Sequence, residues 1–341
     1  MLQWTIDPIQ FQLRYTWKLS RNASDSKTNL LVHVQDGSHH GWGEAAPNVR
    51  YNETPEKLIE EFNRLNRKDL ANLESIDQLS EVLNGTVISY ALRFAIESAY
   101  VHFYSQIRNT SASGILNLAP PDSIPTSYTI PVMDPAQLLP FFQRENLSRF
   151  GIIKLKIDAE SGSDCISELL RFRHSGIMVD ANEAFTDVEA CIHFLERLRK
   201  LPILLVEQLM PASAKEESIY LKKYCPFPLF VDESITHEAD FSYLEKIADG
   251  VNIKLMKAGG YLNGIQLLRE AKKCNMKTMI GCMVESTLGI YSGLLLSGLA
   301  DYADLDSFLI IDDEPFGMVT EQNGILEIKK QYPDPDDLPR R

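Results

Sequence analysis

Cysteine is scarce in this chain, and long apolar runs are missing. The five cysteines, Cys165, Cys191, Cys225, Cys274 and Cys282, form no CxxC pair and stand apart from any run of histidines, which argues against a disulfide framework and a zinc site. The longest apolar stretches fall well short of the roughly 20 residues that a membrane span needs. The first residues have neither a basic region nor a continuous apolar region. The sequence therefore predicts a cytoplasmic protein.

Positive charge is also in deficit. The 34 lysines and arginines face 47 aspartates and glutamates, which gives a net charge of −13. Such a chain repels phosphate backbones and anionic lipid heads, so neither nucleic acid nor a membrane surface is expected as a partner. Nothing in the sequence excludes a homo-oligomer. The 44% hydrophobic and 24% charged residues are typical of a globular protein.

The first part of the chain predicts an α+β unit in which strands come before helices. Two strand-like runs, Leu30–Val34 and Gly41–Glu44, flank an Asp36-Gly37 turn of the kind that closes hairpins. Thr54-Pro55 then provides an N-cap and a first-turn proline for a helix. Apolar residues at helical spacing around Leu92 indicate a second helix.

From about residue 113 the pattern changes to short apolar strands that alternate with amphipathic helices, which is typical of parallel βα units. About eight strands are predicted. They lie at 127–132, 151–156, 177–180, 203–207, 229–232, 251–255, 277–282 and 308–311. The fold class is therefore α/β, with a (β/α)8-type barrel of modified TIM type over residues 113–314 and the N-terminal α+β domain over residues 1–112.

Charged residues end several of the predicted strands at intervals of one barrel unit. Lys154, Asp180, Glu207, Asp232 and Lys254 follow one another at separations of 22 to 27 positions. A single charged residue at a strand end is ordinary, because loops are solvated. The carboxyl ends of barrel strands, however, converge on the mouth where active sites lie. Five such residues in succession therefore indicate one ring of functional side chains.

The three acids of this ring are candidate metal ligands. Asp180, Glu207 and Asp232 each follow an apolar run and have no cysteine or histidine beside them. Carboxylate oxygens are hard ligands of the kind that Mg²⁺ prefers. Three carboxylates crowded together would otherwise drive protonation, because like charges repel. The sequence therefore predicts a divalent cation at this point.

The lysines are candidate acid and base groups. Strand alternation puts Lys154 and Lys156 on one face and the intervening Leu155 on the other, so both lysines point into the barrel. Two ammonium groups side by side near a metal are expected to lower each other's pKa, which makes a lysine available as a base. Lys254, on the sixth strand, approaches from the opposite side. Two bases on opposite faces of one carbon suit an inversion of configuration.

The motifs KLKID, VDANEAF, VEQLM, VDESI, NIKLMKAGG and GCMVES together resemble the muconate-lactonizing subgroup of the enolase superfamily, essentially from end to end. The dipeptide epimerases, including Ala-Glu epimerases, are the most similar members. They share an Asp-x-Asp after the seventh strand, which is Asp304-Leu305-Asp306 here. One departure is Leu209, where a proline is commoner in the family.

The resemblance implies a set of residue roles. One Mg²⁺ per subunit would be held by Asp180, Glu207 and Asp232, while Lys156 and Lys254 would exchange the α-proton. The substrate-binding positions would be Thr129, Lys154, Cys282, Val284, Asp304 and Asp306. Among these, Lys154 would lie beside the substrate carboxylate, and the two aspartates would hold the ammonium group of a dipeptide.

The resemblance also gives the N-terminal domain a role as a capping domain. Its loops at 17–24 and 49–53 would close over the side chain of the second residue, and the C-terminal segment 315–341 would return to it. The expected activity is epimerisation of that second residue by proton transfer, with the peptide bond left intact.

Other activities stay open at this stage. O-succinylbenzoate synthases and muconate cycloisomerases use the same lysines and metal acids, although the Asp-x-Asp favours a substrate with a cationic end. A metal-dependent lyase or aldolase does not need lysines on opposite strands, and a barrel that only binds a ligand does not need bases at all. The preferred second residue is open too. Arg21 suggests an acidic one, as in Ala-Glu from murein peptides, but small or apolar residues are equally compatible.

Overall fold

The computed structural model describes residues 1–19, 22–65 and 67–333. Its N-terminal part contains an antiparallel sheet of three strands, β1 (Gln3–Lys18), β2 (Ala23–Gln35) and β3 (His40–Ala45). The predicted hairpin is confirmed, since β2 and β3 pair on either side of a turn in which Gly37 has a φ of 98°. Such a φ suits glycine, which has no Cβ. β1 was not predicted, although it is the longest of the three.

Five helices follow this sheet. They are α1 (Pro55–Arg64), α2 (Arg67–Ala71), α3 (Ile76–Asn84), α4 (Tyr90–Ile107) and α5 (Ala112–Ile115). Thr54 caps α1 as expected, because its side chain accepts a hydrogen bond from Lys57 N. α4 packs directly on β3, where glycine is required. A Cβ at Gly41 would stand 2.0 Å from the carbonyl oxygen of Ala99.

The second part of the chain is a parallel barrel, preceded by a short strand β4 (Ser123–Pro125). Its strands are β5 (Ser127–Ile130), β6 (Ile152–Lys156), β7 (Ile177–Asp180), β8 (Ile203–Glu207), β9 (Leu229–Val231), β10 (Gly250–Lys254), β11 (Lys277–Gly281) and β12 (Tyr302–Asp304). Neighbours in sequence are neighbours in the sheet. Leu305 N donates to Thr126 Oγ1 at 2.9 Å, which brings the last strand back to the first. The predicted fold class is thus confirmed.

Helices alternate with the barrel strands. They are α6 (Pro135–Arg144), α7 (Gly162–Leu169), α8 (Val188–Leu198), α9 (Lys215–Tyr224), α10 (Phe241–Ile247), α11 (Leu255–Ala258), α12 (Tyr261–Lys273) and α13 (Thr287–Leu296). In the part of the chain that the structure describes, no helix has the length and apolar character to cross a membrane.

The eighth strand lies earlier than predicted. The sequence pattern put it at 308–311, but the strand is Tyr302–Asp304, and Ser307–Ile310 forms a 3₁₀ helix. The apolar run was misleading because Phe308 and Ile310 are buried in the core without being part of the barrel sheet. A short apolar run indicates burial but does not distinguish a strand from a buried helical turn.

The C-terminal residues form a hairpin of β13 (Val319–Gln322) and β14 (Ile325–Ile328), and β14 pairs with β4. This small sheet lies at the amino end of β5, away from the barrel mouth. Beyond it, the hydroxyl of Tyr332 lies 2.8 Å from that of Ser105 on α4.

One large apolar cluster extends through both parts of the molecule. It contains Leu92 and Ile96 of α4 together with Tyr261 and Leu268 of α12 and Leu288 of α13. The N-terminal helix is therefore packed into the same core as the helices of the last barrel units. This shared core fixes the N-terminal sheet over the barrel mouth.

Candidate active site

A cavity of about 270 Å³ opens between the carboxyl ends of the barrel strands and the N-terminal sheet. Most residues that the sequence singled out line it together. They are Thr129, Lys154, Lys156, Asp232, Lys254, Cys282, Val284, Asp304 and Asp306. The N-terminal part contributes residues near both predicted loops, namely Trp17, Leu19 and Val49–Tyr51. Arg21 lies outside the described residues.

Parallel register brings the charged strand ends into one layer. Lys156 is paired with Asp180, and Asp180 with Glu207, at the last positions of β6, β7 and β8. Asp180 and Glu207 do not line the cavity but lie just beneath it, and both are fully buried. The ring that the 22-to-27-residue spacing predicted is therefore present in space.

Lys154 is the centre of this layer. Its Nζ lies 2.8 Å from Asp304, 2.9 Å from Glu207 and 3.2 Å from Asp180. Burial favours the neutral amine, but these carboxylates hold the pKa of Lys154 well above its usual value. The pKa of Lys254 is raised in the same way against burial, by Asp232. For Lys154 this direction is opposite to the lowering that the sequence predicted for Lys154 and Lys156 beside a metal ion, because a sequence shows neighbouring lysines but not how closely carboxylates surround them.

The two other lysines each hold a different acid. Lys156 Nζ donates to Asp180 at 2.8 Å and to the side-chain oxygen of Asn182 at 2.7 Å. Lys254 Nζ donates to Asp232 at 2.9 Å. Their strands, β6 and β10, are the second and sixth of eight in the barrel order, so the two ammonium groups enter from opposite sides.

The acids that could bind a metal ion are held by ammonium groups in this arrangement. Among the described residues, no three His, Cys, Asp or Glu side chains are grouped as a ready metal site. One acceptor is nevertheless left over. Glu207 Oε1 accepts from Asn252 Nδ2 at 2.9 Å, whereas Oε2 makes no hydrogen bond of acceptable geometry, although Lys154 Nζ is 2.9 Å away.

The carboxylate oxygens of Asp180, Glu207 and Asp232 suit a hard divalent cation. Burial raises the pKa of Glu207 to about 7, whereas Lys156 and Lys154 outweigh burial and lower the pKa of Asp180 to about 2. Buried carboxylate oxygens, one of them without a hydrogen bond, are what an oxygen-preferring ion would use. Asp180, Glu207 and Asp232 therefore fit Mg²⁺.

Asp304 and Asp306 lie side by side at the cavity wall. Asp304 Oδ1 accepts from Ser127 Oγ at 2.6 Å and from Thr129 Oγ1 at 3.3 Å, while Asp306 Oδ2 accepts from the backbone N–H of Thr129. Cys282 Sγ lies 3.3 Å from the carbonyl oxygen of Asp304. Burial, followed by the charge of Asp304, raises the pKa of Asp306 to about 7. These acids can present negative charge to a cationic group in the cavity.

Several residues of the site were missed by sequence reasoning. Asn182 supports Lys156, and Asn252 supports Glu207, as given above. Lys257 Nζ contacts both the carboxylate and the backbone oxygen of Asp232. All three lie within the motifs VDANEAF and NIKLMKAGG, so these motifs could have pointed to them. Lys27 also lines the cavity, from β2, and no motif pointed to it.

Two contacts fasten the N-terminal part to the barrel mouth. The guanidinium of Arg50 donates two hydrogen bonds, both of 2.9 Å, to Glu183 in the loop after β7. The buried carboxylate of Glu44 on β3 accepts from Ser286 Oγ at 2.6 Å and from Gly289 N at 3.1 Å, at the start of α13. These contacts hold the N-terminal part against the barrel mouth.

Comparison with known proteins is consistent with this arrangement. The family model of enolase C-terminal domain-like proteins matches residues 143–312. An N-acetyl-D-glutamate racemase of a Pseudoalteromonas species is 31% identical over 290 residues, which cover 83% of this chain and 87% of that protein. This chain belongs to the enolase superfamily. The family that the motifs indicated is confirmed.

Other known proteins match over nearly their full length. An L-Ala-D/L-amino acid epimerase of Flavobacterium johnsoniae is 28% identical, with 92% of this chain and 93% of that protein covered. The solved structure of a dipeptide epimerase from Enterococcus faecalis, in complex with Mg and the dipeptide L-Leu-L-Tyr, superposes with a TM-score of 0.84. It is 21% identical, with 96% of this chain and 97% of that chain covered. That likeness shows the shared fold.

Proposed function

We propose that this superfamily member is a Mg²⁺-dependent dipeptide epimerase, an isomerase that inverts the α-carbon of the second residue of an Ala-X-type dipeptide. The observation that carries the proposal is the placement of Asp304 and Asp306 in the same cavity as Lys156 and Lys254. The lysines provide a base and an acid on opposite sides, and the aspartates provide a site for an ammonium group. Relatives that act on L-Ala dipeptides support it.

Asp180, Glu207 and Asp232 would hold one Mg²⁺ per subunit. When bound, the ion supplies positive charge that makes a proton next to a carboxylate easier to remove. Lys154 adds a fixed positive charge at the same place, because its ammonium group is buried among the acids of the layer.

Lys156 and Lys254 would carry the proton transfer. One lysine, as the neutral amine, takes the α-proton from one face, and the opposite ammonium group returns a proton to the other face. Asp232, which raises the pKa of Lys254, would be partly neutralised by Mg²⁺, and this would make the neutral amine easier to form. Lys156 is oriented by Asn182 and Lys254 by Asp232, so each Nζ is held at its side of the cavity. Arg50 and Glu44 attach the N-terminal part to the barrel mouth, and this cover would limit the access of water to the reacting carbon.

A second candidate is the racemisation of N-acylated amino acids. The relative named N-acetyl-D-glutamate racemase favours it, and the same lysines would serve. An acylated nitrogen, however, carries no charge. Asp304 is paired with Lys154 with either substrate, but Asp306 would then stand buried in the cavity wall with no cation from the substrate, which makes the dipeptide the better match. Among the described residues, no contact in the cavity singles out a succinylbenzoate synthase or a cycloisomerase.

A screen of L-Ala-L-X dipeptides in D₂O tests the proposal. Deuterium is expected to enter the α-carbon of the second residue, with the L,D epimer formed, and EDTA is expected to stop both until Mg²⁺ is added. N-acetyl amino acids run in parallel. If they are racemised and no dipeptide is, the acylamino acid racemase replaces this proposal. Full turnover in metal-free buffer would refute the three metal ligands.

We further propose that residues 1–112 act as the cap over the second residue, residues 113–314 as the catalytic barrel and residues 315–341 as a segment attached to the cap. Residues 334–341 of that segment lie outside the described residues. Trp17 and Val49–Tyr51 in the cavity wall support the first assignment, and the contact of Tyr332 with Ser105 supports the last. A cytoplasmic role in murein peptide metabolism is consistent with L-Ala dipeptides as substrates.

A further inference from the structure

Lys27 reaches the cavity from the N-terminal sheet. It lies on β2, and alternation along a strand puts it on the same face as Asn29. Asn29 Nδ2 donates to the carbonyl oxygen of Val284 at 2.9 Å and to Glu44 at 2.6 Å. This face of β2 is therefore held against the barrel mouth, and Lys27 lines the cavity next to it.

Among the described cations of the cavity wall, Lys27 differs from the others because it is not paired directly with a carboxylate. Each of the others has a carboxylate oxygen within 2.9 Å; they are Arg50, Lys154, Lys156 and Lys254. Over residues 1–19, 22–65 and 67–333, no carboxylate oxygen lies within 4.0 Å of Lys27 Nζ. Its hydrogen-bond acceptor is the carbonyl oxygen of Pro47, at 2.5 Å.

Lys27 is half-buried where it lines the cavity. Burial lowers the pKa of Lys27, and the charge of Glu53 only partly opposes this. Glu53 itself is engaged by two backbone N–H groups, those of Ala91 and Asn48. A charge taken out of water without a counter-ion is costly. An anion that enters the cavity would remove that cost.

The proposed function leaves one substrate group for this position. The α-carboxylate belongs with Lys154 and the metal acids, and the ammonium group belongs with Asp304 and Asp306. The side chain of the inverted residue is what remains to reach the N-terminal wall. We propose that Lys27 binds a carboxylate on that side chain and so selects dipeptides with an acidic second residue. This inference rests on the proposed function for the orientation of the substrate.

The test compares L-Ala-L-Glu with L-Ala-L-Gln, which has nearly the same shape but no charge. The wild type is expected to show a kcat/KM about ten- to a hundred-fold higher for L-Ala-L-Glu, as one charge-assisted hydrogen bond allows. In Lys27→Met the ratio should fall to about one, while Lys27→Arg should keep most of it. Lys223→Met, an exposed lysine on α9, is the matched control and should keep the full ratio.

The outcomes separate this inference from the proposed function. If the wild type epimerises both dipeptides equally, or if Lys27→Met keeps the preference, Lys27 does not select an acidic side chain, but the epimerase stands. If no dipeptide is epimerised, the proposed function fails. In that case the ratio of kcat/KM is measured with N-acetyl-L-Glu and N-acetyl-L-Gln instead. Equal rates for these two substrates would overturn the role of Lys27. The wild-type comparison needs no variant to fold.

Discussion

Lys156 and Lys254 enter the cavity from strands on opposite sides of the barrel. Lys156→Ala and Lys254→Ala should each abolish epimerisation, because either amine alone serves only one face. Each variant should still exchange the α-proton of one stereoisomer with solvent. The measurement is deuterium incorporation from D₂O into L,L and L,D dipeptides by NMR. A variant that epimerises at a rate near the wild type would refute the two-base assignment.

We expect Asp306 to make the dipeptide reaction depend on pH. Because burial and Asp304 raise its pKa to about 7, Asp306 is protonated below that pH and charged above it. Attraction for an ammonium group should therefore grow as pH rises through 7, so kcat/KM for a dipeptide should rise there more steeply than for its N-acetyl derivative. Asp306→Asn should flatten this difference and lower kcat/KM for the free dipeptide about ten- to a hundred-fold.

The comparison that contradicts this role uses the same two substrates. If the wild type processes free and N-acetylated dipeptides equally well, the pair of aspartates does not bind an ammonium group. The preference for a dipeptide over an acylated amino acid would then be lost.

Among the elements, α4 carries a titratable group away from the cavity. Glu97 is buried, accepts a hydrogen bond of 2.9 Å from Leu262 N, and leaves no room for a Cβ at Gly260. Burial raises its pKa from 4.5 to about 7, although Leu262 and Arg93 oppose the shift. Glu97 is harder to ionise in the folded state than in the unfolded state. Its contribution to the free energy of unfolding is therefore fully present below pH 4.5 and is lost as pH rises through about 7.

Glu97→Gln should therefore gain stability relative to the wild type between pH 5 and pH 8, by about 2 to 3 kcal/mol. The amide oxygen keeps the hydrogen bond from Leu262 and never ionises. Urea unfolding at both pH values gives the difference, and Glu81→Gln on the exposed face of α3 is the control. An equal difference between Glu97→Gln and wild type at both pH values would mean that Glu97 does not titrate in this range.

Elements with a local signature were predictable, and those defined by their neighbours were not. The β2–β3 hairpin and the first seven barrel strands have turn residues or apolar runs of strand length. β1 has Pro8 inside it, which weakens a strand pattern, and it is fixed by its pairing with β2. β12 is three residues long and is defined by β11 and β5.

The residues of the candidate site were likewise predictable where they have a local sequence signature, and not where their position depends on neighbouring elements. The strand-end acids and lysines were predictable because each follows an apolar run at a regular interval. Lys27 lies in the polar stretch Ser24–Asn29, and a lysine in such a stretch is expected to face solvent. The structure shows instead that Lys27 lines the cavity, on the face of β2 from which Asn29 contacts Val284. The direction of the lysine pKa shifts also depends on distances to carboxylates, which a sequence does not contain.

At the scale of the whole molecule, the core shared by α4, α12 and α13 affects when the chain can fold during its synthesis. His102 of α4 and its partner Tyr261 are 159 positions apart. During synthesis, the apolar faces of α4 therefore stay without their packing partners until the sixth barrel unit has left the ribosome. A nascent chain in that state is prone to aggregate. Residues 1–112 expressed alone should stay unfolded, and the full chain should melt in one calorimetric transition. A soluble, folded fragment would show that the first third of the protein matures independently.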